Sequence, residues 1–149
     1  MKKENVKMFG ILIALLSGAL MSVQGVFNTA VTKQTSLFVS TGFVQLSAFI
    51  VCVIMWFFTG RENPSELFHV QPKYTLLGGV IGVFITITVI KSMKNLGPAR
   101  AVMLIVISQL IVAYAIELFG VFGVERQPFE WRKILGMAVA IIGILLFQW

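Results

Sequence analysis

Long apolar segments, separated by short connectors that carry most of the charges, account for almost the whole chain. They predict helices at about residues 8–31, 36–59, 74–96, 98–124 and 132–149. A transmembrane helix needs about 20 apolar residues, with about 17 as the lower limit. The first two segments exceed this length. The third reaches it when the aliphatic stems of Lys91 and Lys94 are counted. The fifth is short, but Trp131 and Trp149 bracket it as interfacial anchors. We therefore predict an all-α integral membrane protein, a single unit of five transmembrane helices over residues 1–149.

Composition and charge narrow the possible partners. The chain is 58% hydrophobic and 12% charged, and a soluble domain has about twice that charged fraction. The formal net charge of +6 does not predict a nucleic-acid partner, because the cations flank the apolar segments, where they orient a membrane protein. The first segment runs well past the apolar length of a signal peptide, which favours a retained helix over a cleaved one. The single cysteine, Cys52, cannot form an intramolecular disulfide.

The distribution of basic residues favours one orientation. If the N-terminus is inside, the outer segments carry four basic residues, namely Lys33, Lys91, Lys94 and Arg100, and the inner segments carry the other eight of the twelve. The positive-inside rule then places the N-terminus in the cytoplasm and the C-terminus outside. Because the excess is moderate, insertion in both orientations stays an alternative.

Small residues recur on three of the predicted helices, at a spacing that lets membrane helices pack closely. The predicted helix-packing glycines are Gly10 and Gly18 on the first helix, Gly78 and Gly82 on the third, and Gly136 and Gly143 on the fifth. The alternative is that small residues are simply common in membrane helices. Three such stripes in one chain favour close packing of these helices, either with each other or with a second copy.

Polar residues mark one face of the first helix. Ser17, Gln24 and Asn28 fall within an arc of about 40° when successive residues are 100° apart. Such a face is typical of a helix that lines a cavity. It is equally typical of hydrogen bonding between neighbouring membrane helices, and the sequence leaves both interpretations open.

The fourth predicted helix carries a second polar face, with Gln109 and Glu117 within roughly 80° of each other and Tyr114 nearby. Glu117 follows about 28 Å of helix after Pro98, which places it toward the inner end of the span. Its possible cationic neighbours are the inner-side residues Lys7, Arg126 and Lys133. A carboxylate below the membrane surface is costly and marks a functional candidate, here a proton carrier or gate. The alternative is a carboxylate that reaches the interface as an anchor.

Several motifs resemble one family of membrane proteins. They are QGVFN at residues 24–28, LLGGVIGVF, LGPARAVMLIVISQLIVAYAIELFGVFG and KILGMAVAIIGILL. These stretches look like the YdcZ-like inner-membrane exporters, the half-length branch of the drug/metabolite transporter superfamily. The similarity covers nearly the whole chain and is most specific from Leu76 to Leu146. The chain departs from the family at Ser108, where glycine is usual, and at Glu117, where aspartate is common.

The resemblance implies a bacterial inner membrane protein that forms one half of an inverted-repeat transporter. Such a five-helix unit transports only after pairing with an oppositely oriented second unit, as a homodimer or as a heterodimer with a paralogous half. The resemblance does not define the small molecule that is carried.

The residue types present argue against an enzyme. The sequence has no nucleophile–base pair, no phosphate-binding loop and no metal-ligand spacing, and its one histidine, His69, lies in a connector. We expect no cofactor. The favoured function is a half-size secondary transporter that exports a small metabolite or drug-like molecule, with Glu117 as the candidate for coupling to protons. A passive channel and a structural or assembly subunit without transport are the alternatives. Glu117 and the polar face of the first helix favour transport over a channel, and the near absence of polar loops argues against docking as the main role.

Overall fold

The computed structural model describes residues 2–148, and the side chains of residues 6–147. Over residues 2–148 the chain forms five α-helices, α1 (Lys2–Gln34), α2 (Leu37–Thr59), α3 (Gly78–Leu96), α4 (Pro98–Phe119) and α5 (Trp131–Gln148). Short 3₁₀ helices occupy Pro64–His69, Lys73–Leu77 and Val121–Gly123, and the described residues contain no β-strand. The predicted all-α fold is therefore confirmed. The predicted last residue of the fifth helix, Trp149, lies outside the described residues.

Among the described residues, four segments are long and apolar enough to cross a membrane, namely Val6–Gln34, Leu37–Thr59, Lys73–Leu96 and Pro98–Phe119. Their mean hydropathy lies between 2.0 and 2.3, yet no more than 11% of any of these apolar windows is buried within the chain. Such outward-facing apolar surface requires lipid around it, so the chain is a multi-pass membrane protein.

The fifth predicted crossing is not confirmed. α5 has 18 residues and begins with Trp131, Arg132 and Lys133, so its uninterrupted apolar part is shorter than those of the four crossing segments. Within the described part of the chain it is not among the segments that meet the length and hydropathy of a span. A crossing by α5 is therefore part of the proposal made below.

Three predicted helices differ from the structure at their ends. α1 extends beyond residues 8–31 on both sides, α3 begins at Gly78 after a 3₁₀ helix and not at residue 74, and α4 is shorter than predicted. The fourth helix was expected to continue to residue 124, but α4 ends at Phe119. Gly120 takes a left-handed conformation with φ 65°, and its N–H donates to the Ile116 carbonyl at 2.9 Å, which is how glycine commonly ends a helix. Phe122 is also left-handed, with φ 58°, so the helix cannot resume there. The predicted break between the third and fourth helices is confirmed, because α3 ends at Leu96 and α4 begins at Pro98.

The chain divides into two compact units, Met1–Asn95 and Leu96–Trp149. In the first unit, the Ser40 hydroxyl on α2 donates to the Asn28 carbonyl on α1 at 3.1 Å. The centre of this unit is unusually polar, and its buried residues with a side chain are Asn28, Thr29, Ser40, Thr41, Ile90 and Met93. Hydroxyl groups that bond across helices are a common way of joining membrane helices. The prediction that all five helices form a single unit stays a prediction.

In the second unit, the connector between α4 and α5 folds back over the end of α4. The Gln127 N–H donates to the Glu117 carbonyl at 2.9 Å, and Arg126 Nε donates to the Leu118 carbonyl at 3.2 Å. The last carbonyls of a helix have no partner within the helix, and these two bonds supply one to each. The connector thereby fixes the backbone that carries Glu117.

In the first unit, two side chains of α3 contact α1 at a glycine that the stripe pattern did not include. A Cβ atom at Gly25 on α1 would overlap Met93 on α3 and would lie 3.3 Å from Val89 Cγ1. By contrast, a Cβ at five of the six predicted packing glycines would meet no atom within 4 Å of it, and these are Gly10, Gly18, Gly78, Gly136 and Gly143. At Gly82 the nearest atom is Gln45 Nε2, at 3.8 Å. The predicted packing glycines thus have no close neighbour among the described residues. Their role in packing stays a prediction, now one that concerns a second copy.

Candidate functional site

A groove of about 470 Å³ runs between α4 and α5. Its lining is mostly apolar, with one carboxylate, one ammonium and one phenol, and comprises Leu110, Ala113, Tyr114, Glu117, Lys133, Gly136, Met137 and Ala140. The volume lies within the range of about 300–1,000 Å³ that is typical of small-molecule sites. The α4–α5 groove therefore combines an apolar wall with a few polar groups at one end, as ligand sites do.

Lys133 forms the centre of the polar end of this groove. Its Nζ lies 3.4 Å from Glu117 Oε2 on α4 and 3.4 Å from Glu130 Oε1, which precedes α5. All three side chains are partly exposed, at 36% for Lys133, 45% for Glu117 and 48% for Glu130. Ion pairs with this exposure contribute about 0–1 kcal/mol to stability, so the cluster is arranged for exchange of partners more than for holding the fold together.

Tyr114 completes the cluster from α4. Its ring centroid lies 5.8 Å from Lys133 Nζ, within the distance at which a cation is attracted to an aromatic face. Its hydroxyl accepts a hydrogen bond from the Glu130 N–H at 3.3 Å. Tyr114 therefore places Glu130 beside Lys133 and also supplies a ring surface to the ammonium.

The structure identifies which of the expected cations pairs with Glu117 in the second unit. Lys133 does, whereas the Arg126 guanidinium bonds to the Leu118 carbonyl instead. α4 ends two residues after Glu117, and the connector returns the chain at once to the start of α5. The helix ending at Phe119 thus brings Lys133 to Glu117.

The polar face of α1 lies in the first unit, and its residues differ in how far they are buried. Gln24 and Asn28 line a second concavity of about 440 Å³, whose other lining residues are Leu20, Met21, Val23 and Phe27. Gln24 is exposed, but Asn28 is only 8% exposed. The Asn28 carbonyl accepts hydrogen bonds from the Thr32 and Ser40 hydroxyls, at 2.8 and 3.1 Å. Asn28 therefore takes part in both arrangements that the sequence left open, because it lines a concavity and its backbone joins two helices.

Two of the predicted pathway residues lie apart from these concavities. Ser17 is exposed on α1 and does not line the concavity of Gln24 and Asn28. Gln109 is exposed on α4 and does not line the α4–α5 groove, although its neighbour Leu110 does. The structure thus brings together Tyr114 and Glu117 in one unit, and Gln24 and Asn28 in the other.

Sequence reasoning missed three contributors to these sites. Glu130 is the second carboxylate on Lys133, and a spacing of three residues at a helix start is the signal that could have indicated their pairing. Gly25 lies inside the QGVFN motif, but it has no glycine four residues away to form a stripe. Thr41 is 3% exposed, and its hydroxyl has no hydrogen-bond partner among the described residues.

The described residues contain no group of three or more His, Cys, Asp or Glu side chains that could hold a metal ion.

Comparison with known proteins gives one family and one curated relative. The family model described as "Putative inner membrane exporter, YdcZ" matches residues 9–146. The Escherichia coli (strain K12) protein named "Inner membrane protein YdcZ" is 29% identical over 93 residues, which are 62% of this chain and 62% of that protein. The chain thus matches less than two thirds of the length of this relative. No solved structure matches the chain. The family match includes both the α1 face and the α4–α5 groove.

Proposed function

Because the chain belongs to the YdcZ family of inner membrane exporters, we propose that it is one half of a secondary transporter that exports a small metabolite or drug-like molecule. It is a multi-pass inner membrane protein from a family of exporters, not of enzymes. The observation that carries the proposal is the Glu117–Lys133 contact at the end of the α4–α5 groove. A transport site needs charged groups that can change partners, and this pair lies where a small molecule has room to enter.

The transporting form consists of two oppositely oriented five-helix units, with α5 as the fifth crossing. Inverted repeats of this kind place the transported molecule between the two halves and rock around it. The uncovered small-residue stripes at Gly10, Gly18, Gly136 and Gly143 support this pairing, because they leave backbone open to a close neighbour. The second half is another copy of the chain or a related chain.

Glu117 is the residue that couples export to protons. When Lys133 moves away, the Glu117 carboxylate stands without its ion-pair partner beside the apolar wall of the groove, and a proton or a cation can take the place of Lys133. Glu117 thus pairs in turn with Lys133 and with a proton or a cation. This exchange of partners links the binding of a molecule in the groove to proton movement. This role distinguishes the proposed transporter from a passive channel, which needs no titrating group.

Proton movement in reconstituted vesicles tests the function. The full chain is placed in vesicles that enclose a pH-sensitive dye, and a panel of small amines, carboxylic acids and neutral compounds is added outside. We expect at least one compound to drive proton flux, and to accumulate against its gradient when a pH gradient is imposed. Flux without accumulation would assign the protein to the channel class. No flux with any compound, together with normal assembly, would assign it a structural role.

A further inference from the structure

The polar end of the α4–α5 groove carries a net negative charge. Glu117 and Glu130 contribute two carboxylates and Lys133 contributes one ammonium, which leaves one negative charge uncompensated within the cluster. An anionic ligand would be repelled by this arrangement, and a neutral one would gain nothing from it. A cationic ligand would be attracted, and more strongly once Lys133 withdraws and leaves both carboxylates without their partner.

Lys133 already shows how an ammonium group is held at this point. Its Nζ touches one carboxylate from α4 and one from the start of α5, and it lies over the Tyr114 ring. Carboxylates together with an aromatic face are the groups that recognise organic ammonium ions. The side chain of Lys133 therefore occupies a site suited to the ammonium of a ligand.

The Lys133 ammonium is held loosely enough to be displaced. Both of its contacts are 3.4 Å long, whereas a tight charge-assisted hydrogen bond is about 2.8 Å. More than a third of its side chain is exposed, and lysine has a long flexible stem with a strongly hydrated head group. The Lys133 ammonium can thus move into the water at the start of α5. The Glu117 and Glu130 carboxylates that it leaves are themselves partly exposed and not buried.

The rest of the groove determines what kind of cation fits. Beyond Tyr114 and Glu117 the walls are formed by Leu110, Ala113, Met137 and Ala140, and Gly136 leaves space between the helices. This part contains no charged side chain and suits an apolar body attached to the ammonium. A metal ion or a small hydrated cation would leave the apolar part of the groove unfilled.

We propose that Glu117, Glu130 and the Tyr114 ring form a binding site for organic monoammonium ions with an apolar body, and that Lys133 occupies this site as a tethered competitor until the ligand displaces it. The inference rests on the proposed function, because it names the class of molecule that the transporter carries. It also assigns Lys133 a regulatory role, since in the empty groove one of the two carboxylate charges is offset by a group that cannot be transported.

Equilibrium binding to the full chain in lipid nanodiscs tests the proposal. Trp131 lies between Glu130 and Lys133, so its fluorescence reports on the cluster when Trp56 and Trp149 are replaced by phenylalanine. Three probes of similar size are compared at pH 7, namely 2-phenylethylammonium, 2-phenylethanol and 3-phenylpropionate. We expect the ammonium to bind most tightly and the carboxylate most weakly.

Variants separate competition from simple charge. Lys133→Gln removes the tethered ammonium and is expected to tighten 2-phenylethylammonium binding by roughly two- to fivefold, as the loss of a partly exposed ion pair implies. Arg132→Gln removes the same charge from the neighbouring position outside the cluster, and is expected to leave the affinity unchanged. Glu117→Gln is expected to weaken binding. Equal binding of the ammonium and the alcohol by the wild-type chain, or weaker ammonium binding by a folded Lys133→Gln variant, would overturn the proposal.

The wild-type comparison of the three probes decides the matter even if Lys133→Gln does not fold. Failure of this inference is also distinguishable from failure of the proposed function. Selective ammonium binding without transport of any compound in vesicles would refute the transporter and leave the site in place. Transport of a compound, with no preference for the ammonium probe in binding, would refute the site alone.

Discussion

Gly25 on α1 lies directly against Met93 on α3, with no space for a side chain between them. Met93 is 3% exposed, and a Cβ at Gly25 would come within 2.8 Å of its sulfur. The contact lies in the same helical segment as Gln24 and Asn28, so it sets where the polar face of α1 stands in the first unit. The Met93 side chain therefore occupies the space that a side chain at residue 25 would need.

A double-mutant cycle tests this contact. Gly25→Ala forces Met93 to move and is expected to lower the free energy of unfolding in detergent by about 1–3 kcal/mol, the usual cost of overpacking. Met93→Ala should remove most of the clash, so the double variant should lose less stability than the two single variants added together. Gly18→Ala is the matched control, because a Cβ there meets no atom within 4 Å. Strict additivity at Gly25 and Met93 would contradict the contact.

The stripes of small residues predict assembly in the membrane. Crosslinking of the full chain in native-like membranes should give at least a dimer, with itself or with a related half, because these stripes leave backbone open for close packing. Gly18→Leu should weaken the dimer and leave the unfolding of the single chain unchanged, since no atom lies near its Cβ. A wild-type chain that transports as a clean monomer would contradict the paired architecture.

Orientation is predicted from the basic residues, eight inside and four outside. A reporter fused after Trp149 should register mainly outside, and one at the N-terminus mainly inside. A near-even split would indicate insertion in both orientations and antiparallel pairing of identical chains. A C-terminal reporter found on the inside together with the N-terminus would contradict five crossings and agree with the four segments that meet the length of a span.

Burial separates the effects of two substitutions on α1. Gln24 is exposed, so Gln24→Leu should reduce transport while expression, unfolding and assembly stay unchanged. Asn28 is buried beside the Ser40 hydroxyl, so Asn28→Leu should also lower the unfolding temperature. Transport by each variant in vesicles and its thermal unfolding in detergent are the two measurements. Normal transport by Gln24→Leu would remove the concavity on α1 from the pathway.

The apolar pattern predicted the helices well because the lengths of membrane-spanning helices are set by the bilayer. It did not predict the end of α4 at Phe119, because the apolar segment continues past that residue. The helix ends there because Gly120 adopts a left-handed conformation, which hydropathy does not report. The pattern also could not locate Gly25, since the contact with Met93 joins residues that are far apart in the chain. Hydropathy describes how each residue interacts with lipid, and it carries no information about which helices touch.

The candidate site was predictable in part. Glu117 was evident as the one acid within an apolar segment, and Lys133 was one of three cations within reach by position. The choice between Arg126 and Lys133 depended on the fold of the connector, which directs Arg126 to the Leu118 carbonyl and returns the chain so that Lys133 reaches Glu117. Glu130 was not predicted, because its role requires both the hydrogen bond to Tyr114 and the start of α5 to be known.

The central claim is that Glu117 couples export to protons, and pH-driven transport by Glu117→Gln in matched vesicles tests it most directly. Glutamine keeps the size of the side chain and removes its charge, and the Glu130 contact with Lys133 remains. Loss of a partly exposed ion pair costs about 1 kcal/mol at most, so the variant should fold at normal levels.

We expect Glu117→Gln to lose pH-driven transport and Glu117→Asp to keep part of it. The control Glu125→Gln, in the connector that follows α4 and outside the cluster, should behave as wild type. Full pH-driven transport by Glu117→Gln would contradict the account and leave Glu117 as an interfacial anchor.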